Sequence, residues 1–276
     1  MTNRAFDIEL PLLLEAIYVR YHYDFRGYAR ATLKRRLTSA MERFECRSLS
    51  QLQDRLLHEP SVFPALLDFL TVQLSEMFRD PTYFLAIREK VVPILRTYPS
   101  LKIWVAGCSA GEEAYSFAIL LQEEGLLDRS LIYATDINSN ALARAETGRY
   151  EIDRIPGFTE NHRKAGGKTS LSDYYTAAYG GAVVNKVLRE HMVFSDHSLA
   201  SDSVFAEMQL VSCRNVLIYF DSPLQDRAVG LFHDSLCRKG FLGLGAKESL
   251  RASPLARNFS TLSPEEKIFQ KESESQ

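Results

Sequence analysis

At 276 residues, with 46% hydrophobic and 25% charged side chains, the chain is long for one average domain, comfortable for two, and of ordinary globular composition. A formal net charge of -2 gives no electrostatic case for bulk nucleic-acid binding, and no apolar run approaches the length of a membrane span. The start MTNRAFDIELP lacks a basic region followed by a long apolar core, and Cys46, Cys108, Cys213 and Cys237 lie far apart without a C-x-x-C. A cytoplasmic protein with no membrane insertion, no disulfide framework and no metal site is therefore expected.

Residues 1–75 contain no strand-like run and read as a helical N-terminal domain in front of an α/β part spanning 76–276. Phe6, Ile8, Leu10, Leu13, Leu14, Ile17 and Tyr18 recur at helical spacing, with Pro11 tolerable only if it falls in a first turn. After a break at Asp24 to Gly27, further helices are expected from Tyr28 to about Glu45, from Leu49 to His58 and from Ser61 to Leu74. Arg26, Arg30, Lys34, Arg35, Arg36, Arg43 and Arg47 make this part basic. A solvated helix face explains such a run, and so does a docking face for an acidic partner.

In the joining segment Ser75 and Asp80 can both cap a helix whose first turn holds Pro81. Arg79 follows apolar neighbours, which makes it either a linker arginine paired with a nearby acid or a cationic clamp for a carboxylate.

From Leu101 to Ser116 the chain passes from a buried strand (LKIWVA) through a small-residue turn (GCSAG) into a helix opening on Glu112 and Glu113. A strand, tight turn and helix make a ligand site at the carboxyl edge of an α/β sheet. Phosphate is disfavoured there, because the Lys-Ser/Thr pair of a phosphate loop is missing and the two glutamates repel an anion. The letters G-x-S-x-G also allow a serine hydrolase with Ser109 as nucleophile and Asp221 and His233 downstream, although no HGGG-type loop precedes it. The third guest is a nucleoside without a phosphate requirement. Asp136 ends the next apolar run, about 25 residues beyond Gly111, close to where dinucleotide folds place the acid that accepts from ribose. With G-x-G-x-x-G absent, these features point to S-adenosylmethionine more than to NAD.

A helix capped by Asn138 leads to an insertion, about 150–193, whose turns at Ile155-Pro156-Gly157, Ala165 to Lys168 and Tyr179-Gly180-Gly181 separate residues suited to short strands. His191 to Ser195 resumes the sheet and Glu207 to Cys213 adds a buried strand. Arg214, Asn215 and Tyr219 follow it at the ligand edge, where Tyr219 is a core aromatic or a site residue. A helix from Leu224 to Cys237, a strand from Phe241 to Gly245 and an antiparallel partner from Glu266 to Lys271 complete the chain.

Five segments in this order, QLSEMFRDPTYF, WVAGCSAGEEAYS, YATDIN, SCRNVLIYF and GLGAKESL, resemble the CheR family of S-adenosylmethionine-dependent methyltransferases, which esterify glutamates on bacterial chemoreceptors. The resemblance spans nearly the whole chain. It implies a helical N-terminal domain followed by a doubly wound class I methyltransferase (Rossmann-like) sheet with a small antiparallel β-subdomain inserted. By position it implies that Gln73, Ser75 and Arg79 line the methionine end of the cofactor and that Glu113 meets its polar groups. Asp136 would accept from the ribose, while Ser198, Leu199, Arg214 and Asn215 approach the adenosine; Arg79 and Tyr219 would flank the transferring methyl. Ser75 and Gln73 stand where enteric members have Thr and Asn, Ser198 where they have Asn, and Ala110 where they have Thr. The implied cofactor is S-adenosylmethionine, with S-adenosylhomocysteine as product. The implied partner of this monomer is the Glu-rich helical bundle of chemoreceptors, with a receptor C-terminal peptide on the β-subdomain. A catalytically weak sensor or docking module on the same fold is the alternative.

Overall fold

The computed structural model describes residues 4–71, 75–178, 180–251 and 253–272. Four helices come first, α1 (Arg4–Tyr21), α2 (Arg30–Arg43), α3 (Leu49–His58) and α4 (Val62–Leu70), around a core that includes Leu13, Ile17, Leu37, Leu52 and Leu66. Ser48 caps α3 by accepting from the Gln51 amide at 3.1 Å, which satisfies one orphan donor of its first turn. The first helix departs from expectation: it starts at Arg4, so Pro11 sits in its interior. An interior proline costs about 3 kcal/mol. Burial of Phe6, Leu10, Leu13, Leu14 and Ile17 on one face offsets that cost.

The chain continues through α5 (Pro81–Ala86), a π-helical turn (Ile87–Val91) and α6 (Val92–Leu95). Then follow β1 (Leu101–Ala106), α7 (Glu112–Glu123), β2 (Ser130–Asp136) and α8 (Ser139–Thr147). The insertion holds β3 (Arg149–Glu151), α9 (Ile155–Lys164), β4 (Tyr175–Ala178), β5 (Gly181–Val184) and α10 (Lys186–Arg189). The remainder comprises β6 (Met192–Asp196), β7 (Met208–Cys213), α11 (Ser222–Ser235), β8 (Leu236–Leu244), β9 (Phe259–Ser263) and β10 (Ile268–Lys271).

Among the described residues seven strands form one sheet in the order β6-β2-β1-β7-β8-β10-β9, and three form a separate antiparallel sheet, β3-β5-β4. Pairing is parallel from β6 to β8, whereas β10 is antiparallel to both β8 and β9. Period-two alternation divides the core. Ile103, Val105, Ile132 and Leu210 face the cluster that contains α7, while Trp104, Ala106, Val211 and Leu242 face the one that contains Ala228 and Phe232 of α11. Strand order reverses beside β1, since β2 and β6 lie on one side and β7 and β8 on the other, and that reversal opens a crevice at the carboxyl ends.

Two local expectations change. Ile155-Pro156-Gly157 opens α9 rather than forming a turn, with proline in the first-turn position its locked φ suits. The insertion is also fastened to the larger sheet's layer: Arg154 pairs with buried Glu112 at 2.9 Å and donates to the Ser75 carbonyl.

Candidate functional site

The turn after β1 is built on backbone that side chains resist. Gly107 and Gly111 have φ of 76° and 90°, and a Cβ on Gly107 would lie 2.4 Å from a Val216 methyl. The amides of Gly107 and Cys108 both donate to the Thr135 carbonyl, at 2.8 and 2.9 Å, so the ends of β1 and β2 are tied together. Ser109, also left-handed at φ 51°, donates its amide to the Asp136 carboxylate at 2.9 Å. The other Asp136 oxygen accepts from the Asn138 amide at 2.9 Å. Burial pushes the Asp136 carboxyl up from the usual range, with backbone donors at Asn138, Ser109 and Ile137 opposing the shift.

This turn floors a cleft that gathers most of the predicted site. Ser75, Arg79, Glu113 and Asp136 line it with Ser198 and Leu199 from the loop after β6 and Arg214, Asn215 and Tyr219 from the loop after β7. Gln73 lies outside the described residues. Arg79 is presented by a strained hairpin of chain: Phe78 and Asp80 on either side both have positive φ, at 52° and 54°. The buried Phe78 ring packs on Phe84 and His162, its amide donates to Ser116 Oγ at 2.8 Å, and Arg79 is left with no side-chain partner among the described residues.

Arg214 lines the cleft from the loop after β7. Its buried guanidinium donates to Glu113 at 3.0 Å, to Asp80 at 2.7 Å and to the Arg79 carbonyl at 2.9 Å, and it lies 4.1 Å from the Tyr83 ring centroid. It therefore positions Glu113 and the Arg79 backbone. The second Glu113 oxygen accepts from Ser212 Oγ at 2.7 Å.

Sequence reasoning missed three contributors. Glu248 in GLGAKESL, pushed up by burial, accepts from the amides of Gly245, Asn215 and Ile218 at 2.6, 3.1 and 3.3 Å and so shapes the loop that carries Asn215 and Tyr219. Tyr28 lines the cleft from the helical part, and His197, packed edge-on against Trp104, lines it beside Ser198. The acidic residue inside a motif was a usable signal for Glu248; nothing local marks Tyr28.

The seven basic residues do not act as one face. Arg26 pairs with Asp24 and Glu15, and Arg30 with Asp7. Arg36 donates to the Leu70 carbonyl at 2.7 Å and lies over the Tyr219 ring, 4.7 Å from its centroid. Lys34, Arg35, Arg43 and Arg47 remain exposed. Nor is a hydrolase triad assembled: Asp221 caps α11 by accepting from the Leu224 amide, and the His233 ring nitrogens face Asp234 and Asn258.

The cleft suits S-adenosylmethionine chemically. Among the described residues no lysine lines it, and its carboxylates disfavour phosphate while suiting a sulfonium. Asp136 keeps spare lone pairs for hydroxyl donors, and the buried Ser109 Oγ has no partner among the described residues.

Comparison with known proteins agrees. Residues 73–266 match the profile "CheR methyltransferase, SAM binding domain", and residues 8–71 match "CheR methyltransferase, all-alpha domain". A Pseudomonas putida protein named "Putative methyltransferase Cher3" is 56% identical over 270 residues, covering 98% of this chain and 99% of that one. An uncharacterized 104.1 kDa protein of Rhodobacter capsulatus is 30% identical over 95% of this chain, which spans 27% of that protein. The chemotaxis protein methyltransferase of Listeria innocua is 28% identical over 82% of this chain and 84% of its own length. The cleft, its fold and these matches together establish that the chain belongs to the CheR methyltransferase family and is an S-adenosylmethionine-dependent methyltransferase.

Proposed function

We propose that the chain methylates the side-chain carboxylate of glutamates on chemoreceptors in the cytoplasm, tuning chemotaxis-type signalling. The observation that carries this reading is Arg79, a guanidinium without a side-chain partner among the described residues, on the wall of a cleft where Glu113 and Arg214 are paired with each other at 3.0 Å. A glutamate is already ionised at neutral pH, so its methylation needs no strong general base. S-adenosylmethionine, when bound, supplies the methyl on an activated sulfonium. The chain's own residues supply alignment. Asp136, with Ser198 and Leu199, holds the nucleoside; Ser75 and Glu113 hold the methionine end, with Arg214 fixing Glu113 and Asn215 closing the wall. Arg79 orients the incoming carboxylate and Tyr219 adds a hydrogen bond. Arg79→Ala is expected to lower methylation of a chemoreceptor signalling fragment about a hundredfold and Arg79→Lys about tenfold, since lysine keeps the charge but not the planar fork. An alanine variant turning over at the wild-type rate would remove Arg79 from the reaction.

An acidic receptor bundle also suits the exposed cations of α2. Because Arg36 serves the α4 terminus and the Tyr219 ring, the informative variant reverses Lys34, Arg35 and Arg43 to glutamate. Its methylation rate at limiting receptor should fall several-fold at low salt, where steering is strong, and approach wild type at high salt. Equal rates at both salt concentrations would make α2 a solvated face. The outer edge strand β4, with Thr176 and Ala177 exposed, suits an extended receptor peptide by strand addition.

A further inference from the structure

We infer that Tyr28, in the segment leading into α2, is a nucleoside-binding residue whose hydroxyl, together with Asp136, holds the cofactor ribose. The inference rests on the assignment of the cleft to S-adenosylmethionine. It makes the helical N-terminal part a contributor to the cofactor site itself.

Tyr28 and Asp136 line the same cleft. The Tyr28 ring is held edge-on between Phe25 and Phe220, with centroids 4.9 and 5.0 Å away. Its backbone is pinned to the loop after β7. Tyr28 forms a bridge with Phe220, the Ala29 amide donates to the Tyr219 carbonyl at 2.8 Å, and the Asp221 amide donates to the Gly27 carbonyl at 2.9 Å. The ring is therefore rigid, and its position relative to the cleft is fixed by hydrogen bonds across 190 or so residues of sequence.

The half-buried Tyr28 hydroxyl has no hydrogen-bond partner among the described residues, which leaves it available to a ligand in the cleft. Burial, reinforced by the Asp136 carboxylate, pushes its pKa up, so the group stays a proton donor at neutral pH. Asp136 can only accept when ionised, and Tyr28 can donate. A ribose hydroxyl both accepts and donates, so one diol satisfies both side chains. A 2′,3′-dideoxyribose cannot. A tyrosine that merely packs would use its ring alone, and phenylalanine would replace it without loss.

Calorimetric titration of wild type and Tyr28→Phe with S-adenosylhomocysteine and with its 2′,3′-dideoxyribose analogue separates these roles. The substitution keeps the ring, so the ligand-free melting temperature should stay within about 2 °C of wild type. S-adenosylhomocysteine should bind Tyr28→Phe about three- to tenfold more weakly, and the dideoxy analogue should bind both proteins alike. Equal affinity of both proteins for S-adenosylhomocysteine, or the same fold-loss for both ligands, overturns the inference while leaving the cofactor assignment intact. Wild-type protein that fails to bind S-adenosylhomocysteine overturns the cofactor assignment, and the inference with it.

Discussion

Asp136→Ala should weaken binding of S-adenosylmethionine and S-adenosylhomocysteine on the order of tenfold to a hundredfold. The carboxylate has two functions in one place. It accepts the Ser109 and Asn138 amides at 2.9 Å each, which fixes the turn after β1, and it keeps lone pairs for ribose hydroxyls. A hydrogen bond to a charged acceptor contributes about 1.5 to 3 kcal/mol, which converts to that range of affinity. Loss of the acceptor also leaves unpaired the amide of Ser109, itself at φ 51°. Asp136→Asn keeps an acceptor and should lose less. Calorimetry giving an unchanged dissociation constant for the alanine variant would remove Asp136 from the site.

Arg88→Ala should destabilise the fold by about 3 to 5 kcal/mol, because it removes the buried guanidinium that pairs with the buried Glu123 and Glu124 side chains. Arg88 is placed by the π-helical turn Ile87–Val91, a wide turn of the kind often found at constrained positions. It pairs with Glu123, with Glu124 at 3.0 Å, and donates to the Ala165 carbonyl at 3.0 Å, joining α7 to the insertion. Glu123 also meets His162 at 2.9 Å and the Tyr174 hydroxyl at 3.2 Å. Burial works against its charge, but His162 and Arg88 outweigh burial and hold the Glu123 carboxyl down at about 2. Its ordinary value of 4.5 is higher, so this stabilisation is complete above about pH 4.5 and is lost as pH falls toward 2. The variant should therefore melt roughly 10 °C lower at neutral pH and lose less further stability on acidification through that window. A melting temperature unchanged within 2 °C or so at neutral pH would mean that the network is not coupled to folding.

The same network alters what the insertion can be. The sequence suggested an insertion of turns and short strands; the structure buries Glu112 and Glu123 against Arg154, His162 and Tyr174 of that segment. Removing it would expose or orphan those carboxylates, so its partner-binding role is better tested by point changes on β4.

The central strands were legible because LKIWVA and LIYATD are apolar runs that only a two-sided sheet can bury. Asp136 and the tight glycines were legible through spacing, since strand-turn-helix geometry fixes where such residues must lie, whereas Glu113 was set apart from Glu112 only by the family resemblance. FSTLS of β9 was not, because an edge strand of mixed polarity carries little periodic signal over five residues. Pro156-Gly157 looked like a turn because the same residues that break a helix also begin one. Tyr28, Arg36 and the Arg214–Glu113 pair escaped because their roles depend on contacts between segments far apart in sequence, which no local pattern encodes.

Methylation of a receptor glutamate leaves a carboxyl methyl ester on the receptor protein. That outcome is tested most directly by incubating the full chain with purified chemoreceptor and methyl-labelled S-adenosylmethionine, then treating the labelled receptor with dilute base. Label should appear on receptor and be released by base as methanol, in an amount that falls when the methylatable glutamates are replaced by alanine. Label that survives base, or no transfer to receptor from protein that binds the cofactor normally, would contradict receptor glutamate methylation.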